Sequence, residues 1–217
     1  EAQYADQIEK TVVNHLLAAQ DARNGDFCYY TPLNGKKPYT PGINCCVSSG
    51  PRGIALLPEL SWGLLDGAPA VVLYGPGRVK LQATTPEGPV EVELRQRTSY
   101  PETGRVTLEV RPARPARFPL HLRVPSWTTN FTVSGDAPPA AKPGTFLRLE
   151  RAWKKNDAIT IDIDLPVRLI DGAPTYPGHV AVARGPQILA FDATVNPSIN
   201  NPKLVALTRT DAAPTLT

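Results

Sequence analysis

The spacing of the apolar residues changes once along this chain, at Asp66-Gly67, and that change limits the fold more than any single motif. Before it, Tyr4, Ile8, Val12 and Leu16 recur every four residues, with Val13 and Leu17 widening the stripe, which predicts an amphipathic helix over 3–20. Asp6, Glu9 and Lys10 fall off that stripe, and the turn residues of 21–27 end the helix. Residues 28–50, with Pro32, Gly35, Pro38, Pro41 and Gly42, read as a loop, and a loop that long inside a compact domain is usually functional. Pro51 is well placed to open a second helix carrying Ile54, Leu57, Leu60 and Leu64, which Pro58 must kink or restart. After Gly67 the period is two. Val90/Val92/Leu94, Val106/Leu108/Val110, Leu120/Leu122/Val124, Leu147/Leu149 and Ile159/Ile161/Ile163 alternate with polar residues such as Glu91, Glu109, His121, Arg123 and Asp162, behind a mostly apolar strand at Ala70–Tyr74. Short alternating strands bounded by Pro, Gly, Asn or Asp predict a β-sandwich. The expected class is therefore mostly β: helices over 1–68, a β-sandwich over 69–192 and an irregular tail over 193–217.

Composition removes several classes of function. The net charge is +3 with the basic residues scattered, so nucleic acid is not an expected partner. No apolar run approaches the roughly 20 residues of a membrane-spanning helix, so no membrane role is expected. Hydrophobic residues make up 41%, enough for a packed core and against disorder. The three cysteines, Cys28, Cys45 and Cys46, all lie in the first quarter, and their odd number is not a disulfide framework.

The sharpest local feature is Asn44-Cys45-Cys46-Val47-Ser48-Ser49-Gly50-Pro51-Arg52. Adjacent cysteines rarely bond each other, but both can face a soft metal such as Zn²⁺. A place just before a helix start would favour a thiolate. Two buried small residues in a loop, or a redox pair, are the competing readings of the same residues. His15, His121 and His179 are far apart in sequence, with His121 on the polar side of a strand, so further metal ligands are not apparent in this chain.

Seven segments, in order along 3–192, resemble the β-L-arabinofuranosidase family, glycoside hydrolase family 127, and its relatives. They are Tyr-Ala-Asp-Gln-Ile-Glu at 4–9 with Asn-His-Leu-Leu-Ala at 14–18, Phe-Cys-Tyr-Tyr-Thr-Pro-Leu at 27–33, Cys-Cys at 45–46 with Gly-Pro-Arg at 50–52, Gln-Arg-Thr-Ser-Tyr-Pro at 96–101, Leu-Arg-Val-Pro-Ser-Trp at 122–127, Arg-Ala-Trp-Lys-Lys-Asn-Asp at 151–157 and Ala-Arg-Gly-Pro at 183–186. The resemblance implies that the two helices belong to an (α/α)6 barrel catalytic domain, followed by the sandwich. It implies a zinc ion held by one Glu and three Cys, with Cys45 as nucleophile and ligand, Cys46 as ligand and Tyr29 lining the sugar pocket. Cys28 is expected to be structural. The remaining ligands and the acid/base Glu are expected upstream, in a missing catalytic-domain segment or a companion chain, so the chain alone is expected to be inactive. The implied substrate is a glycan, a β-L-arabinofuranoside or related plant cell-wall sugar. The Asn-Cys-Cys…Gly-Pro-Arg stretch differs from the Cys-Cys-Pro-Pro-Asn form of the arabinofuranosidase branch, which bears on the sugar and not on the reaction class. The alternative is a non-catalytic β-sandwich accessory or interaction module. Trp127, Trp153, Arg151 and Arg184 are read as scaffold, and Asp162 and Asp164 as a solvated face.

Overall fold

Asp66 and Gly67 both adopt positive φ, 52° and 74°, as a two-residue hairpin turn requires, and they join β1 (Trp62–Leu65) to β2 (Ala68–Val71). In the computed structural model, residues 1–32, 35–39, 45–135, 140–192 and 194–199 are described. The remaining strands are β3 (Gly77–Ala83), β4 (Val90–Arg97), β5 (Arg105–Pro112), β6 (Ala116–Val124), β7 (Phe131–Val133), β8 (Thr145–Trp153), β9 (Asp157–Ile163), β10 (Val167–Asp171), β11 (Val180–Arg184) and β12 (Gln187–Leu189). They form a four-stranded sheet in the order β1-β2-β6-β8, a five-stranded sheet β3-β4-β5-β9-β7 and a small sheet β10-β11-β12. The pairings are antiparallel except β2 with β6.

The five alternating stretches seen in the sequence fall on β4, β5, β6, β8 and β9. Their apolar sides make one core between the two large sheets. Phe118, Leu120, Leu122 and Trp153 from one sheet meet Val92, Leu94, Leu108 and Ile161 from the other, all at most 1% exposed. Each such side chain contributes about 1.5–3 kcal/mol by leaving water. The Phe118 and Trp153 rings stack at 6.0 Å, and the Trp153 indole donates to the Phe118 carbonyl. Trp153 is thus scaffold, as expected.

The helical part differs from its sequence reading in four places. Helix α1 (Ala2–Thr11) continues through a wider π-type turn at Val12–Leu16 and a tighter 3₁₀ turn at Leu17–Ala19. Helix α2 (Cys45–Ala55) starts at Cys45, not at Pro51, which is its seventh residue; the expected loop is therefore shorter than 28–50. The helix restarts at Leu57 as α3 (Leu57–Leu60), with Pro58 in its first turn, but Leu64 lies on β1 and not on a helix. Pro41, Gly42 and Asn44 lie outside the described residues, as does most of the 193–217 tail, of which only 194–199 are described.

The fourth difference concerns which face of α1 is buried. Ala2, Ala5 and Glu9 are buried, whereas Tyr4 is 62% exposed and Leu17 is exposed. The helix lies on the outer side of β6, where alternation puts His121 and Arg123. Both were read as a polar face, and both are buried, Arg123 completely. Alternation assigns parity; it does not say what covers the second side. Arg123 Nε donates to the Val72 carbonyl (2.6 Å), Nη1 to Asp6 (2.5 Å) and Nη2 to Glu9 (2.6 Å). Glu9 also accepts from the Tyr100 hydroxyl (2.7 Å) and the Trp127 indole (3.1 Å), and Asp6 accepts from the Ser126 amide (3.2 Å). The Tyr74 ring sits 5.7 Å beneath the guanidinium and its hydroxyl donates to the Arg123 carbonyl. Burial, followed by the charge of Glu9, drives the Tyr100 hydroxyl well above its ordinary pKa, so it stays a proton donor.

Removing one partner of a buried ion pair strands the other charge. Arg123→Met is therefore expected to lower stability by about 3–5 kcal/mol in urea unfolding, with Glu9→Gln/Arg123→Met costing less than the sum of the single changes. A loss below about 1 kcal/mol in the single variant would show that the network does not hold the helix down.

Candidate functional site: the cysteine pair at the start of helix α2

The turn after α1 is built by Asp21. Its backbone N–H donates to the Asp26 carbonyl (2.7 Å), and its carbonyl accepts from Gly25 N–H (2.8 Å), Gly25 taking φ of 84°. Its carboxylate takes the Arg23 guanidinium on both oxygens, at 3.0 and 2.7 Å. The hydrogen bonds from the Arg23 side chain and then its amide hold the Asp21 carboxyl at about 2 instead of the usual 3.8. This closed turn pairs Gln20 with Phe27 and brings Cys28 N–H to the Ala19 carbonyl at 3.0 Å. Phe27 and Cys28 then point into a small core with Ala19, against which Leu16, Tyr39 and Ile54 pack. Cys28 is buried there, in agreement with its structural reading.

Helix α2 docks on this small core through its glycines. A β-carbon at Gly50 would stand 2.3 Å from the Phe27 ring, and one at Gly53 would stand 3.1 Å from Leu16. The absent side chain at Gly50 makes room for the Phe27 ring. The packing also explains how α2 runs through Pro51, whose missing N–H should weaken a helix. At the other end of α2, Cys45 is exposed and Cys46 is half-buried. Their sulfurs lie 3.9 Å apart and are not bonded, a disulfide being about 2.05 Å. Ser48 donates to the Cys45 carbonyl (3.1 Å), and Arg52 donates to Ser49 (2.9 Å). Burial first, then the hydrogen bond and charge of Cys45, then the charge of Cys28, raise the Cys46 thiol above its usual range. Cys28 is thus close enough to act on Cys46, a proximity that spacing along the chain does not reveal.

Tyr29 follows the buried Cys28 and is 51% exposed, its ring edge-on to Tyr30 at 4.6 Å. Tyr30 was not singled out from sequence, although two adjacent tyrosines in a turn-rich stretch were a signal. The contact of Phe27 with Gly50 places this aromatic pair and the cysteine pair on adjoining segments.

Two thiolates on one tetrahedral zinc, each at about 2.3 Å, stand about 3.8 Å apart. The cysteine pair at 3.9 Å fits that requirement as two ligands of a set. Among the described residues no group of three or more His, Cys, Asp or Glu could hold a metal ion. His121, buried on β6 with both ring nitrogens unpartnered, is held below its usual pKa by burial first and then by Arg148.

Residues 1–59 match the model of the β-L-arabinofuranosidase GH127 catalytic domain, and residues 69–165 match that of the GH127 middle domain. The chain belongs to glycoside hydrolase family 127. Solved structures agree with this family assignment. A GH127 β-L-arabinofuranosidase from Geobacillus stearothermophilus T6 superposes with a TM-score of 0.71 at 26% identity, covering 87% of this chain and 32% of that one. A second GH127 β-arabinofuranosidase gives 0.72 at 27% identity, with 87% and 33% covered. A glycoside hydrolase gives 0.74 at 25% identity, with 87% and 34% covered. The chain therefore spans about a third of the length of these GH127 and related structures. Comparison with curated proteins gives no match.

Two outcomes test the geometry around the thiols. Gly50→Ala is expected to cost about 1–3 kcal/mol, read as a lower urea midpoint, because the new methyl meets an aromatic ring on a packed face. The Asp21 carboxyl is held low in the folded state, so its contribution to stability is complete above its ordinary value near 3.8 and is lost as pH falls toward 2. The protection factors of the amides over 20–28 should accordingly fall between pH 4 and 2, and an Asp21→Asn variant should show no such change.

Proposed function

We propose that this chain is the C-terminal part of a retaining glycoside hydrolase in which Cys45 is the nucleophile. The observation that carries the reading is the exposed Cys45 sulfur, 3.9 Å from that of Cys46, at the start of a helix in a GH127 chain. Cys45 and Cys46 would hold a zinc ion together with a Glu and a Cys from upstream polypeptide, and such a metal keeps a coordinating thiol deprotonated. The Cys45 sulfur attacks the anomeric carbon, a C–S bond forms as the C–O bond to the leaving group breaks, and a carboxylic acid outside this chain protonates the departing oxygen. Water, activated by the resulting carboxylate, then breaks the C–S bond and returns the thiolate. Tyr29, beside Tyr30, offers the sugar an aromatic wall. The substrate class is a β-linked L-arabinofuranoside or a related plant cell-wall sugar.

The helical end supports a larger catalytic unit of (α/α)6 type. Tyr4, Leu17, Tyr30, Val47 and Leu56 are exposed there, a concentration of apolar surface that marks an interaction face. The same surface also supports the second reading, a sandwich module that docks on a partner without catalysing. The two part on one experiment. In the longest natural form, Cys45→Ser is expected to lower kcat/KM on an aryl β-L-arabinofuranoside by on the order of 10³-fold or more. Bound zinc should fall in both Cys45→Ser and Cys46→Ser. Undiminished turnover in Cys45→Ser would remove the mechanism and leave the module.

A further inference from the structure

The outer side of the five-stranded sheet carries a ladder of charges. Along most of it they balance. Lys80 meets Glu91 at 3.0 Å, Arg105 meets Asp162 at 2.8 Å, and Arg111 lies 3.7 Å from Glu93 and 2.7 Å from Glu109. At one end the acids run out. Arg78 on β3 stands directly opposite Arg95 on β4, with Arg97 two residues along the same side. Like charges directly opposite across a strand pair are destabilising. Glu109 is the residue opposite Arg95 on β5, and both of its oxygens are engaged, one by Arg97 and the other by Arg111. Arg78 and Arg95 make no ion pair among the described residues. These three arginines line a cleft of about 440 Å³, walled also by Pro76 and Gly77.

We propose that this cleft binds the carboxylate of an acidic sugar, a uronate unit within a polysaccharide. The guanidinium is a planar fork that matches a carboxylate on two hydrogen bonds, and an anion here would offset the repulsion between Arg78 and Arg95. The choice of a sugar acid over another anion rests on the glycoside hydrolase reading; the arginine arrangement does not. The cleft lies on the five-stranded sheet, whereas α1 lies on the four-stranded one.

The test is binding of a galacturonate trimer to the 217-residue chain, read by calorimetry, against a neutral arabinose trimer, inorganic phosphate and a short RNA. The dissociation constant for the acidic trimer is expected to rise at least about tenfold in Arg78→Gln/Arg95→Gln and again on going from low salt to about 0.5 M. Lys80→Gln, at the balanced end, should bind as the parent does. So should Cys45→Ser, so that loss of the thiol chemistry and loss of this site are read separately. The melting temperature of the double variant should equal or exceed the parent's, since a like-charge pair is removed; should it fall, Arg78→Gln alone serves for the comparison. Unchanged binding in the arginine variant, no preference for the acidic over the neutral trimer, or tighter binding of phosphate or RNA would each overturn the proposal.

Discussion

A buried guanidinium held between two carboxylates joins the two halves of this chain. Arg123 is fully enclosed, and each of its hydrogen-bonding edges has an assigned partner: Val72 on the neighbouring strand, and Asp6 and Glu9 on the helix. Apolar packing tolerates sliding; a planar fork set between two acids does not. The interaction therefore fixes the position of α1 along and around its axis more tightly than its few buried alanines could. Whether the ion pair adds net stability over an apolar contact is a separate matter, since desolvating three charges is costly. Its clearer role is to set one geometry.

The family-like segments acquire a physical meaning at this joint. Asp6 and Glu9 come from the first segment, Tyr100 from the fourth, and Arg123, Ser126 and Trp127 from the fifth, and all of them touch one network. The last segment joins nearby, where Arg184 donates to the carbonyls of Pro101 and Glu102. Asn14 clasps the following strand, donating to the Pro186 carbonyl and accepting from Ile188 N–H. Asp164, read as solvated, accepts from Thr128, Thr129 and Asn130 and closes the loop after β6. Much of what made the chain recognisable is thus the fastening between helices and sandwich, not the chemistry.

The sandwich was legible because one side of β4, β5, β6, β8 and β9 is apolar and the other polar, and period two shows that directly. The short strands β7 and β12 were not, because three residues carry too little pattern, and β10 and β11 expose apolar residues on a small sheet. The polarity of α1 was legible, but which side it buries was not. The stripe Tyr4/Ile8/Val12/Leu16 reads as the inward face of an amphipathic helix, yet toward the sandwich it is Asp6 and Glu9 that turn inward, because that surface offers an arginine, while Leu16 packs on the small core around Phe27. At the site, the adjacency of Cys45 and Cys46 was plain in sequence. The nearness of Cys28, and the start of α2 at the pair itself, depend on Phe27 fitting against a glycine 23 residues further along the chain.

These contacts form a continuous mechanical path from the sandwich to the thiols. Arg123 fixes α1; the Asp21–Arg23 clamp folds the chain back after its last turn; Phe27 seats on Gly50; and α2 carries Cys45 at its far end. Each link is a close-packed or doubly hydrogen-bonded contact, with little freedom to shift. A side chain at a helix start is held more tightly than one in a long loop. In this arrangement the sandwich positions the Cys45 sulfur through α1 and α2.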